Sequence, residues 1–242
     1  MGAPFHDIAL YAPTLYKPGT PEYWEEKSLY NYISDLYIIC MHGYKPPNTT
    51  RVCIEPSYYN IWNRTWKNGS LKTIAVYFDY ESFLSLRVND KYTYVLNTIQ
   101  EAMLKLSEEY NWDKNVFEKA YVEIINNDFR FKIAYPAKMS KDKRKIANIS
   151  VEKTQTTTMV NICLNKDGHT SVIKLFDKRN WWVFDSAYIL VKNNKWFDND
   201  RFGLSYKPLE WKGWYSIKEN KVYFELNNIK SEYANLDKIF KF

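Results

Sequence analysis

A chain of 242 residues, 45% of them hydrophobic and 18% aromatic, is too apolar for a disordered polypeptide and long enough to bury its core without a metal or disulfide staple. The net charge of +6 is mild, with its excess toward the C-terminus. That argues against a dedicated nucleic-acid binder and leaves a slight bias toward an acidic partner. With 7 Gly but 21 Tyr and 9 Trp, aromatic packing and not glycine-rich phosphate loops should organise the fold.

Asp7 to Tyr11 reads as a first strand, followed by a Pro-rich connection. Met1 to Tyr11 lacks the basic start and long apolar run of a signal peptide, and no later stretch is apolar enough to span a membrane. Thr20-Pro21-Glu22 predicts a helix start, with a hydroxyl N-cap, proline at the first position and an acid in the first turn. Leu29, Ile33, Leu36, Tyr37 and Cys40 recur at helical spacing, and Gly43 is a fitting stop. Residues 51–70 read ambiguously and end in a turn at Asn68-Gly69-Ser70. Lys72 to Asp79 alternates as a strand, with Ile74, Val76 and Phe78 on one face and Thr73, Ala75 and Tyr77 on the other. A helix is predicted over 91–110 and a third, capped by Asp113, to about Ile125, before a strand at 129–134.

The second half reads as hairpins. Met159–Leu164 and Thr170–Phe176 flank Asp167-Gly168, a pair favouring a type I′ turn, so Leu164 should oppose Ser171 and Ile162 oppose Ile173. Another hairpin, turning at Glu219-Asn220, puts Tyr215, Ile217, Val222 and Phe224 on one face, and Trp214, Ser216, Tyr223 and Glu225 on the other. A short amphipathic helix from Ile229 to Phe240 is predicted at the end. The fold class is therefore α+β, a helical N-terminal half packed on a largely antiparallel sheet. It is divided into an α/β lobe over 1–137 and a β lobe over 146–242, or is one continuous domain.

Chemical motifs are sparse. Cys40, Cys53 and Cys163 form no disulfide framework, and the four Asn-x-Ser/Thr sequons matter only outside the cytosol, so a cytoplasmic protein is expected. His6, His42 and His169 fall in no metal spacing, and no cofactor is expected. Cys40 and His42, two apart, point to different sides of a helix. Asp79 and Glu81 would share a strand face, as a metal or acid/base carboxylate pair must, although solvated strand-end residues explain them as well. Asp198-Asn199-Asp200 has the start of a calcium loop without its later Glu, which favours an ordinary turn. Lys138, Lys141, Lys143, Arg144 and Lys145 cluster in a connection that either is simply solvated or grips an acidic partner.

The aromatics of the later strands are more informative. Adjacent Trp181 and Trp182 must point to opposite faces of any strand, Trp214 and Tyr223 fall on the polar face, and Trp196 and Trp211 flank nearby loops. If that face is open, these rings are binding residues, because Trp and Tyr concentrate at the energetic centres of interfaces. If both faces are covered, they are core.

One segment, Leu96 to Asn126, about an eighth of the chain, carries Glu108-Glu109-Tyr110-Asn111-Trp112-Asp113-Lys114 and then Phe117-Glu118-Lys119-Ala120-Tyr121. It resembles a helical module of uncharacterised bacterial proteins, some of them similar to immunity proteins that neutralise toxins. The resemblance implies a non-enzymatic protein acting through a surface and transfers no functional residue.

The expectation is thus a cytoplasmic immunity-type inhibitor that occludes a toxin of acidic surface through Trp181, Trp182, Trp196, Trp211, Trp214 and Tyr223, with Lys143 and Arg144 at the rim. The alternatives are a divalent-metal hydrolase using Asp79 and Glu81, or a carbohydrate or single-stranded nucleic-acid binder stacking on the same rings.

Overall fold

The structure, a computed structural model, describes residues 5–11, 14–57, 64–180 and 187–232. In chain order its elements are β1 (Asp7–Leu10), α1 (Pro21–Cys40), β2 (Arg51–Ser57), β3 (Thr65–Asn68), β4 (Leu71–Tyr77), α2 (Tyr80–Ser85), α3 (Val88–Tyr110), α4 (Lys114–Asn126), β5 (Phe131–Ala134), β6 (Lys138–Met139) and β7 (Lys145–Lys153). They continue with β8 (Thr157–Lys166), β9 (His169–Arg179), α5 (Ala187–Lys192), β10 (Asn194–Trp196), β11 (Arg201–Tyr206), β12 (Trp211–Ser216), β13 (Lys221–Leu226) and β14 (Ile229–Ser231). The described chain divides into two compact units, residues 5–129, and residues 130–180 with 187–232.

The first unit holds a four-stranded sheet in the order β1-β2-β4-β3, parallel except for the β3–β4 hairpin. Helix α1 begins as its residues dictate: the Thr20 hydroxyl accepts from the Tyr23 N–H at 3.3 Å, and Pro21 stands at the first position. Asn111 adopts a left-handed conformation to end α3, and the Asp113 carboxylate caps α4. Ile8, Leu10, Val52, Ile54, Ile74 and Val76 share one sheet face and are buried. Helix α1 packs along β1, and α3 along β4, supplying Ile33, Leu36, Val95 and Ile99 to the same core. A buried carboxylate is fully engaged there: Glu26 accepts from the Tyr30 and Tyr80 hydroxyls, each at 2.8 Å.

The second unit has two five-stranded antiparallel sheets. One runs β5-β7-β8-β9 with β6 also on β7; the other runs β10-β11-β12-β13-β14. Their inner residues, among them Ile149, Val151, Val160, Ile162, Phe202, Leu204, Trp211 and Phe224, form one apolar cluster. The Asp167-Gly168 turn sets the expected pairing, Leu164 opposite Ser171 and Ile162 opposite Ile173. A bulge between Val160 and Asn161 then shifts the ladder.

The mixed α+β class with antiparallel sheets stands, but the N-terminal half is not simply helical. The ambiguous residues 51–57 form β2 at the centre of a parallel sheet, which needs distant partners that local pattern does not reveal. Strand β4 ends at Tyr77, and Asp79 starts the unpredicted helix α2. In the last hairpin Ser216 pairs with Lys221, two residues off the expected register. The shift is even, so Tyr215, Val222 and Phe224 still share a face. Residues 229–231 pair as β14 where a helix start was predicted, and the remainder of that helix lies outside the described residues.

Candidate functional site

The rings of the later strands are covered. Trp211 is 1% exposed, Trp214 4% and Tyr223 9%, so none of the three is an open anchor, which corrects the expected exposed face. Trp211 lies on the inner face, stacked on Phe224 at 6.2 Å between centroids and edge-on to Phe176 at 6.1 Å. Trp214 and Tyr223 do take the outer face, opposite one another across β12 and β13. There Trp214 meets Phe197 at 6.1 Å and the Arg201 guanidinium at 5.8 Å, and the Lys230 ammonium sits 3.6 Å over the Tyr223 ring. Long basic side chains lay their stems along apolar rings while keeping their charge in water, a burial that alternation alone does not foresee. The Tyr223 hydroxyl donates to Glu219, whose carboxylate pushes its pKa up to about 12. Trp181 and Trp182 lie outside the described residues.

Trp196 is half-buried and belongs with the basic cluster. Its indole N–H donates to the Lys138 carbonyl at 2.8 Å, and the Lys138 ammonium donates to the Asn194 carbonyl. The Asp142 N–H reaches Asn199 Oδ1 at 3.1 Å, and Lys145 Nζ reaches the Asn199 carbonyl at 2.9 Å. The loop before β7 is therefore a built turn locked to the β10–β11 hairpin. Asp142 organises it, accepting from the Ser140 hydroxyl at 2.6 Å and the Arg144 N–H at 3.2 Å, contacts that lower its carboxyl pKa to about 2. Lys143, with φ of 60°, and Arg144 project from this turn and are exposed.

The carboxylates considered for metal or acid/base chemistry serve turns. Asp79 caps α2, accepting from the Ser82 N–H at 3.0 Å and the Ser82 hydroxyl at 2.7 Å, and these bonds lower its pKa. It therefore does not share a strand face with Glu81, which lies in the first helical turn. Asp198 Oδ1 accepts from the Asp200 and Arg201 N–H groups, each at 2.8 Å, while Asp200 takes the Ser216 hydroxyl and the Lys218 N–H, both at 2.7 Å. Cys40 and His42 do not pair with each other. His42 Nε2 lies 2.7 Å from Glu123, and burial, followed by Glu123, pushes the Cys40 thiol up to about 12, the reverse of what a nucleophile needs. Among the described residues no group of three or more His, Cys, Asp or Glu is arranged to hold a metal ion.

The exposed aromatic surface lies instead in the first unit. Register places Trp66, Thr73, Cys53 and Ala9 in one row across the sheet, and Tyr77 on the same face two pairs further along β4. This is the face opposite Ile74 and Val76, away from the buried row packed under α1 and α3. Tyr11 is 52% exposed, Trp66 40% and Tyr77 52%, with half-exposed Leu71 beside them and the Arg51–Asp7 ion pair, at 2.8 Å, on the same face. Burial and the nearby Cys53 raise the Tyr11 hydroxyl pKa. As parallel strands require, the centre of this face is also covered, with Ala75 1%, Thr73 7% and Cys53 9% exposed, so the three rings are open at its margins. The alternation of Thr73, Ala75 and Tyr77 signalled a second face, but only the pairing with β2 and β3 brings Trp66 onto it.

No helix among the described residues is long and apolar enough to cross a membrane. Comparison with protein-family models, curated proteins and solved structures finds no match to this chain.

Proposed function

We propose that this protein is a non-enzymatic cytoplasmic binding protein, an immunity-type inhibitor that occludes a cognate bacterial toxin. The observation that carries the reading is the exposure of Tyr11, Trp66 and Tyr77 at the margins of one face of the β1-β2-β4-β3 sheet, the face away from α1 and α3. Large exposed aromatics grouped on one face mark interaction surfaces, since Trp and Tyr supply contact area with few rotors to immobilise. The contact surface thus moves from the strands of the second unit to the sheet of the first. Lys143 and Arg144, held on a rigid turn, are a separate cationic element suited to an acidic partner. The resemblance of Leu96–Asn126 to immunity-type proteins supports the biological setting.

Affinity capture from the native host, with the neighbouring genes co-expressed, tests the reading. The wild-type chain retains one stoichiometric partner through washing. The Trp66→Ala/Tyr77→Ala double variant, shown by circular dichroism to be folded, releases it. Absence of such a partner, or equal retention by the double variant, overturns the proposal.

A further inference from the structure

We propose that Asn68 is a site of spontaneous deamidation that places a new carboxylate at the exposed edge of the N-terminal sheet, on the same face as Trp66. Asn68 ends β3 and pairs with Leu71, and Gly69 and Ser70 form the two-residue loop. Its side chain faces the same way as that of Trp66, two residues earlier, and it is exposed. Among the described residues neither its carboxamide nor the Gly69 N–H has a hydrogen-bond partner. Gly69 has φ of 58° and open space where a Cβ would stand, so no side chain screens its nitrogen.

These are the requirements of an intramolecular acyl transfer. The Gly69 backbone nitrogen attacks Asn68 Cγ; the new C–N bond closes a five-membered succinimide, the Cγ–Nδ2 bond breaks, and ammonia leaves with the nitrogen's proton. Water then opens the ring. Attack at Cγ gives aspartate with the original peptide link, and attack at the backbone carbonyl gives isoaspartate with the chain running through the side chain. Nothing is oxidised or reduced, and no co-reactant besides water is needed.

The local fold permits the required motion. Strand β3 has four residues and is an edge strand, paired with β4 alone. The Asp167-Gly168 turn, the other acidic or amide residue followed by Gly, is clamped between strands of 10 and 11 residues, with both turn residues already at positive φ. The new carboxylate would stand on the face opposite Lys67 and Lys72. The change would add negative charge, and in the isoaspartate form one extra backbone atom, beside Trp66. That consequence for binding rests on the function proposed above; the chemistry does not.

The test incubates the full folded chain, without any partner, at mildly alkaline pH, and maps the peptide spanning Asn68 by mass spectrometry with isoaspartate-specific fragmentation. The expected result is conversion of the amide to acid at Asn68, with isoaspartate present, slowed at mildly acidic pH and lost in Asn68→Gln, whose longer side chain disfavours ring closure. If Asn68 keeps its amide while the same chain unfolded in urea converts it, the fold protects the site and the proposal is wrong. Capture with the Asn68→Asp variant is scored separately, so a failure of the binding reading leaves the chemical result intact.

Discussion

Gly203 and Gly213 approach across β11 and β12 so closely that a Cβ on Gly203 would lie 2.0 Å from the Gly213 carbonyl oxygen and 2.6 Å from Trp214 Cα. Backbone on both sides cannot retreat from such a contact. At Gly213, by contrast, a Cβ would meet side-chain atoms of Phe224 and Trp211, each at 3.0 Å. Gly203→Ala is expected to destabilise the chain by about 3 kcal/mol or more, outweighing the entropic gain of roughly 0.4–1 kcal/mol that Ala brings through the unfolded state. Gly213→Ala should cost about 1 kcal/mol, since rings can shift. Urea unfolding midpoints measure both, and a Gly203→Ala protein as stable as wild type would contradict the packing.

Tryptophans on the two units separate core from surface. Trp211→Ala removes a ring from the centre of the two-sheet cluster and should cost about 3–5 kcal/mol. Trp66→Ala, 40% exposed at the sheet margin, should cost clearly less, about 1–2 kcal/mol. Equal losses in thermal unfolding would show that Trp66 is packed.

The turn at Asp142 carries a pH dependence of defined sign. Folding lowers this carboxyl pKa from its ordinary 3.8 to about 2, through Ser140, the Arg144 N–H and Lys145. The stabilisation is therefore complete above the ordinary value and is lost as pH falls toward 2. Asp142→Asn should accordingly be less stable than wild type at neutral pH, and the difference should shrink across the acid range. A difference that is constant with pH would remove the carboxylate from this role; carboxyl NMR titration gives the pKa directly.

Thiol reactivity follows burial. Cys40 and Cys53 are buried, and in both cases burial is the first cause of a raised pKa, so the reactive thiolate is scarce. Iodoacetamide on the native chain should label Cys163, which is half-exposed, well before the other two. Glu123→Gln should lower the Cys40 pKa without making it fast, because burial remains. Labelling of Cys40 as quick as that of Cys163 would contradict the fold around the end of α1.

Local chemistry made much of the fold legible without coordinates. Thr20-Pro21 started α1, Asn111 and Asp113 separated α3 from α4, and Asp-Gly set the β8–β9 register, because caps and tight turns are decided by a few adjacent residues. Alternation likewise put Tyr215, Val222 and Phe224 on one face and Trp214, Ser216, Tyr223 and Glu225 on the other, even where the loop length moved the register by two; Trp211, read as flanking a loop, begins the strand instead. Composition alone required an aromatic-rich core in a chain of this size. What these signals cannot carry is the identity of a partner distant in sequence. The parallel neighbours of β2, the rows that bring Trp66, Thr73 and Cys53 together, and the Arg201 and Lys230 side chains that roof Trp214 and Tyr223 depend on contacts between segments far apart or on long flexible side chains. Alternation states which face a ring takes; only tertiary packing decides whether that ring meets water, and here it covered the rings expected to be open and left Tyr11, Trp66 and Tyr77 exposed at the margins of another sheet.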